Sequence, residues 1–278
     1  MMRLLSIAII AAAGLGATQA SAQDALGAMT FDNSRFYAKA GVFFAKVDST
    51  LRLDGTGGNI GTDLDLETDL GLPTSKALPF GLVGWRFSEN WRAEFEYFSL
   101  ARETTKTLDR TVTIGDTTYP VNASLRSGLS TDIFRLAVGY SFARGANYEI
   151  GGNLGVHMSN FGVFAEGNGS VGTSVGAFRS ERKEQLVPLP TLGLYANYQI
   201  NETLGLAARA NYFQLRIADY KGQLTDVSVG ATARINRSFG LGADFRYVDY
   251  RLTAYANDFT GRINYNFYGP FLYAFVNF

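Results

Sequence analysis

Apolar and polar residues alternate with a period of two through most of the chain, in runs of about ten residues divided by turn formers. In Asn90–Ala101, Trp91, Ala93, Phe95 and Tyr97 share one face, and Arg92, Glu94 and Glu96 share the other. Tyr148–Ser159, Thr203–Phe213 and Phe239–Tyr247 repeat this plan. Helical periodicity is scarce. The pattern predicts ten strands: Arg35–Val47, Ala77–Phe87, Asn90–Arg102, Ser130–Phe142, Tyr148–Gly162, Pro190–Ile200, Thr203–Ile217, Thr225–Ile235, Phe239–Ala254 and Phe259–Phe278. Short connections (Ser88-Glu89-Asn90, Ala143–Asn147, Asn201-Glu202, Asn236-Arg237-Ser238) alternate with mostly longer ones, such as Asp48–Lys76, Glu103–Leu129 and Val163–Leu189.

A soluble sandwich would turn its charged faces to water. Here the polar faces are dotted with small residues, as at Gly155, Gly205, Gly240 and Gly242, which suits a crowded concave interior. Large aromatics sit near strand ends on the apolar faces, at Trp91, Tyr148, Tyr198, Phe239 and Tyr247, as a lipid interface selects. The expected fold is all-β: a single antiparallel up-and-down transmembrane β-barrel of ten strands. Twelve strands is the alternative, if Thr107–Ile114 and Thr117–Leu125 also span. Asp109 and Arg110 are adjacent, so one would then face lipid, at about 2–4 kcal/mol for a mid-depth Arg. That hairpin is therefore read as lying above the membrane.

Composition changes this picture little. Across 278 residues, 25 Lys+Arg balance 25 Asp+Glu, so no net field attracts nucleic acid. Without Cys and with His157 as the one His, zinc and iron–sulfur sites are disfavoured, and no cofactor is expected. The mean hydropathy of −0.01 suggests a soluble protein. A barrel averages to the same value, with apolar residues on lipid and polar ones in the lumen and loops. Arg3, the apolar stretch Leu4–Leu15 and Ala20-Ser21-Ala22 predict a cleaved signal peptide over residues 1–22. A periplasmic segment over 23–34 and the barrel over 35–278 follow, with export through the periplasm to the cell outer membrane.

The last residues are Tyr-Gly-Pro-Phe-Leu-Tyr-Ala-Phe-Val-Asn-Phe, with Leu272, Ala274, Val276 and Phe278 alternating back from the end. This resembles the C-terminal signal of Gram-negative outer-membrane barrels, and implies the barrel-assembly machinery as a partner reading Phe278. Upstream, Ile263, Tyr265 and Phe267 are expected to face lipid, with Asn264 and Asn266 inside. That phase would turn Phe278 inward unless Gly269-Pro270 resets it. Asp69-Leu-Gly-Leu-Pro73, Gly139-Tyr-Ser-Phe142, Leu154-Gly-Val-His157, Pro188-Leu-Pro-Thr-Leu-Gly-Leu194 and Tyr268-Gly-Pro-Phe271 are similar to stretches of proteobacterial outer-membrane proteins without an assigned activity. That resemblance implies a location rather than a reaction, with outer-membrane lipid and lipopolysaccharide as surroundings.

The strand phases place Lys39, Arg92, Glu94, Glu96, Arg135, Glu149, Arg209, Asp226, Arg234, Asp244, Arg246 and Arg262 in the lumen. Two readings follow: a charged constriction of a narrow solute channel, or an ion-pair network plugging a structural or surface barrel. A wide porin needs more strands. His157-Met-Ser159-Asn160 resembles the catalytic string of outer-membrane lipid A deacylases, making His157 and Ser159 the candidate base and nucleophile. The inward phase of His157 speaks against a lipid-facing site. Asp48, Asp54, Asp63, Asp65, Glu67 and Asp69 make the first long connection acidic, open to Ca²⁺ or to plain solvation. Adhesion or ligand binding by the outer loops completes the alternatives.

Overall fold

The computed structural model describes residues 34–55, 59–171, 174–217, 220–256 and 259–278. The signal peptide and all but the last residue of the periplasmic segment lie outside them. No helix occurs among the described residues. The strands are β1 (Phe36–Leu53), β2 (Leu64–Asp65), β3 (Ser75–Arg86), β4 (Trp91–Thr107), β5 (Val112–Ile114), β6 (Thr117–Tyr119), β7 (Ser124–Arg144), β8 (Tyr148–Val171), β9 (Ser174–Gln199), β10 (Leu204–Ile217), β11 (Tyr220–Arg234), β12 (Phe239–Ala256) and β13 (Phe259–Asn277).

Ten of these close a ring. Each long strand pairs antiparallel with its neighbour in the order β8-β7-β4-β3-β1-β13-β12-β11-β10-β9, and β9 returns to β8. β1 and β13 join the two ends of the chain, from Tyr37 opposite Asn277 to Leu53 opposite Gly261. At the level where all ten strands pair, closure leaves no sheet edge, which is the condition for a strand structure to cross hydrocarbon. All ten expected strands are present, so the twelve-strand count is excluded.

The alternation separates two surfaces. Outside, aromatic rings form a belt near the short turns. Phe36 lies 6.3 Å from Trp85, Trp85 5.3 Å from Phe87, Phe87 6.4 Å from Trp91, and Trp91 4.9 Å from Tyr140. Inside, glycines accommodate neighbouring rings. A Cβ at Gly84 would collide with the Tyr37 ring, and one at Gly242 with the Tyr273 ring. The small residues of the inner face are thus the sockets of inward aromatics.

The interior has two levels. Toward the short turns it is charged. Toward the long connections it is an apolar core of Phe43, Phe98, Leu100, Leu224, Tyr250 and Phe267, all 1% exposed or less. The mouth at that end is covered. β5 and β6 form a hairpin whose Gly115 N–H donates to Leu53 O (3.0 Å), while Thr118 on β6 pairs with Ser170 on β8. The hairpin thereby bridges β1 and β8, with Val112 and Tyr119 fully buried beneath it. Leu64, Leu66, Leu70 and Leu72 from the first long connection complete the cover.

Two expectations are corrected. The segment read as a loop over Val163–Leu189 mostly continues β8 and β9 as a paired hairpin, from Val163 opposite Arg182 to Val171 opposite Ser174. Its glycines and serines carry no apolar periodicity, yet backbone pairing needs none. In β13, Tyr265 and Phe267 are fully buried inside, whereas Phe278 is 71% exposed on the outer face. No bulge resets the phase, since the register with β1 is the same on both sides of Gly269-Pro270. The phase misleads because Tyr265 and Phe267 face an apolar core, while Asn264 and Asn266 lie on the outer face beyond the aromatic level. Gly269 (φ 156°) lets β1 approach closely: a Cβ there would collide with the Phe44 carbonyl oxygen.

Candidate functional site

The charged level is built from alternate residues of facing strands. β4 contributes Arg92, Glu94 and Glu96 on its inner face, β7 Arg135, β8 Glu149 and His157, β10 Arg209, β11 Asp226 and β12 Arg246. Period two aims each into the bore, and the closed ring brings them together.

Glu96 reaches across the bore. Its carboxylate lies 2.6 Å from Arg246 Nη2 and accepts from Arg209 Nη1 at 3.0 Å. Arg246 also holds Asp226, donating from Nε at 2.9 Å and from the same Nη2 at 3.0 Å. Asp226 also accepts from Asn211 at 3.4 Å. Nearer the turns, Glu94 accepts from Tyr37 Oη at 2.7 Å and from Arg135 Nη1 at 2.9 Å. The Arg92 guanidinium stacks 3.6 Å from the Tyr195 ring centroid. Glu149 is fully buried, 2.9 Å from Arg86 Nη1, and bonded to the Ser141 hydroxyl. Charges withdrawn from water must be paired to persist, and each carboxylate here has at least one guanidinium.

Of the other predicted residues, Lys39 and Asp244 border this cluster, whereas Arg234 and Arg262 do not. Lys39 lies over the Tyr273 ring at 5.1 Å, and the Tyr273 hydroxyl donates to Asp244 at 3.1 Å. Arg234 stands inward near the turn end of β11, where its backbone N–H donates to Thr203 O. Arg262 is not in the lumen. Its side chain is 52% exposed on the outer face of β13 and bonds Asp63 at 2.7 Å. The inverted phase of β13 is the reason.

Sequence reasoning passes over Arg86 and Arg102. Arg102 lies on the same alternate positions as Arg92, Glu94 and Glu96, so the phase already marks it. It ties the first long connection to the barrel, bonding Glu67, Pro73 O at 3.0 Å and Ser49 Oγ at 2.8 Å. Glu67 is thus committed to Arg102 and Ser49. Asp48, Asp65 and Glu67 do lie close enough to share a cation.

Between the network and the short turns lies a cavity of about 60 Å³, bordered by Lys39, Arg92, Glu94, Arg209, Asp244 and Arg246. It suits a few waters. His157 and Ser159 are 1% and 0% exposed. The Ser159 hydroxyl donates to Tyr250 Oη at 3.3 Å, and His157 Nδ1 is 3.4 Å from Thr191 Oγ1. Both face the interior, out of reach of any acyl chain on the outer surface.

This is the fold of outer-membrane β-barrels. The outer-membrane protease OmpT of Escherichia coli aligns over 90% of this chain and 99% of its own, at TM-score 0.56 and 14% identity. OprG of Pseudomonas aeruginosa aligns over 90% and 99% at TM-score 0.35 and 10% identity. The Pseudomonas putida toluene transporter TodX aligns over 89% and 91% at TM-score 0.35 and 11% identity. No protein-family model and no curated protein matches the sequence.

Proposed function

We propose that this chain is an outer-membrane barrel with a closed bore, serving as a rigid base for its outward-projecting hairpins rather than as a channel. The carrying observation is the pairing of Glu96 with Arg209 and Arg246 across the lumen, roofed by Phe98, Phe267 and Tyr250. Ten strands enclose little more than side chains can fill. A solute would have to separate these three paired charges and then displace an apolar core.

The projecting part is concentrated on one side. β8 and β9 run 24 and 26 residues, whereas β10 and β11 run 14 and 15. The β8–β9 hairpin therefore stands well beyond its neighbour, and the side of β9 past Leu192 that β10 does not pair faces a partner at the surface.

Liposome swelling tests the closed bore. Refolded protein in sugar-loaded vesicles is expected to show the permeability of protein-free vesicles. Swelling that rises with protein content and falls with sugar size would overturn it. Recovery of the protein in the soluble periplasmic fraction would overturn the membrane placement.

A further inference from the structure

Above the row that joins Leu192 to Tyr212, β9 and β10 part. Their ladder ends there, although β9 runs on with β8 to Ser174 and β10 runs on with β11 to Ile217. Among the described residues, no strand pairs with the side of β9 turned away from β8 beyond Leu192.

The cause lies in the chain. Successive residues of a strand turn their N–H groups to opposite neighbours. The Ile200 N–H donates toward β10, to Leu204 O, and the Gln199 N–H toward β8, to Asn147 O. Even-numbered residues of β9 therefore serve β10, and the next two past Leu192 are Pro190 and Pro188. Neither has an N–H to give. They end the shared ladder and leave no donor stranded where the edge rises from the membrane.

Beyond the prolines the edge regains its donors. Between Phe161 and Val163 of β8, β9 passes from Gln185 to Arg182, one residue more than its partner. That extra residue exchanges the two sides. From there to the hairpin end, odd-numbered residues turn their backbone groups away from β8. Glu181, Arg179, Ala177 and Val175 thus present N–H and C=O groups on a bare edge, a template for another strand.

The order of charges along this edge suits a copy of itself. Antiparallel pairing about Ser180 sets Arg179 of each copy opposite Glu181 of the other, and each such pair exchanges both backbone hydrogen bonds. Sliding the register one ladder step either way brings Arg179 opposite Arg179, or Glu181 opposite Glu181, and like charges there repel. The two-fold axis of this pairing is perpendicular to the barrel wall, so it lies in the plane of the membrane. It inverts the second barrel, which must therefore stand in a facing membrane. Two copies in one membrane run their β9 strands in the same direction and cannot form this ladder.

We infer that β9 pairs edge to edge, about Ser180, with β9 of a second copy in a facing membrane, so that the protein links one outer membrane to another. The inference rests on the reading of the barrel as a base for its hairpins, and it names the chain itself as the hairpin's partner.

Clustering of phosphatidylcholine vesicles carrying the refolded full chain tests it, followed by light scattering. Wild-type vesicles are expected to cluster and protein-free vesicles to stay dispersed. Arg179→Glu vesicles and Glu181→Arg vesicles should each stay dispersed alone and cluster when mixed, because the reversed charges again meet as opposites. Arg179→Pro removes an edge donor without touching the ladder to β8. It should abolish clustering while heat-modifiable migration, the sign of a folded barrel, persists. Wild-type vesicles that stay dispersed would overturn the proposal and leave the edge to an unlike strand. Charge-reversed vesicles that cluster alone would overturn it too.

If those variants do not fold, crosslinking carries the test. The chain has no Cys, and Ser180→Cys should give a disulfide dimer between vesicles on mild copper oxidation, since opposite residues at a non-hydrogen-bonded position lie within disulfide reach. Val175 is 85% exposed on the same edge but off the axis, so Val175→Cys should give little dimer. Equal yields at the two positions would overturn pairing about Ser180. Swelling of sugar-loaded wild-type vesicles, or a wild-type chain with no heat-modifiable band, would instead remove the closed-barrel reading beneath the proposal.

Discussion

Glu96 and Arg246 meet at 2.6 Å in the middle of the bore, although their strands, β4 and β12, stand four places apart one way round the ring and six the other. A contact between nearly opposite walls fixes the cross-section of the barrel as well as closing it. Removing the carboxylate leaves the Arg209 and Arg246 guanidiniums to share Asp226, away from water. Glu96→Ala is expected to destabilise the barrel by about 3 kcal/mol, near the cost of breaking a buried pair. Urea unfolding in detergent or bilayers measures it. A Glu96→Gln/Arg246→Gln cycle should show a coupling of about 1–3 kcal/mol, and a coupling near zero would separate the two residues.

The sockets for inward rings are testable one at a time. Gly242→Val would push a branched side chain into the Tyr273 ring, which already fills the space a Cβ would take at that glycine. A cost of about 1–3 kcal/mol is expected from overpacking. Gly81 has open space around it, so Gly81→Ala should cost much less. Equal losses at the two positions would contradict the socket account.

Most of the fold is legible because the barrel imposes one rule on every strand. Trp91 to Tyr97 and Phe239 to Tyr247 alternate cleanly because lipid and a polar bore make opposite demands. β13 escapes the rule where that contrast vanishes: Tyr265 and Phe267 face an apolar core, and Asn264 and Asn266 lie outward beyond the aromatic level. The ion-pair partners are visible only as a shared face. Which cation meets Glu96 depends on ring closure and strand tilt, and no local pattern encodes either. Arg102 is readable from phase, whereas its partner Glu67 comes from a connection without periodicity, and Ser49 lies on β1 beyond the stretch whose alternation predicts that strand.

The cover of the mouth should respond to acid. Partial burial of Asp69 pushes its carboxyl up, but the Arg110 guanidinium at 2.7 Å and the Asp65 N–H outweigh that and hold it below the ordinary range. A carboxylate depressed in the folded state stabilises above its unfolded pKa, and the stabilisation is lost as pH falls through the folded value. The Asp69–Arg110 latch should therefore hold at neutral pH and release below about pH 4. Limited proteolysis within residues 108–123 is expected to accelerate on acidification, and Asp69→Asn should show faster cleavage already at pH 7. Cleavage independent of both would contradict the latch.

Single-channel recording in planar bilayers tests the closed bore most directly. Wild-type protein is predicted to insert without discrete conductance steps, and Glu96→Ala/Arg209→Ala/Phe267→Ala, which removes part of the ion-pair network and part of its apolar roof, to admit small ions in brief openings. Regular, voltage-stable steps from the wild-type chain would contradict the account.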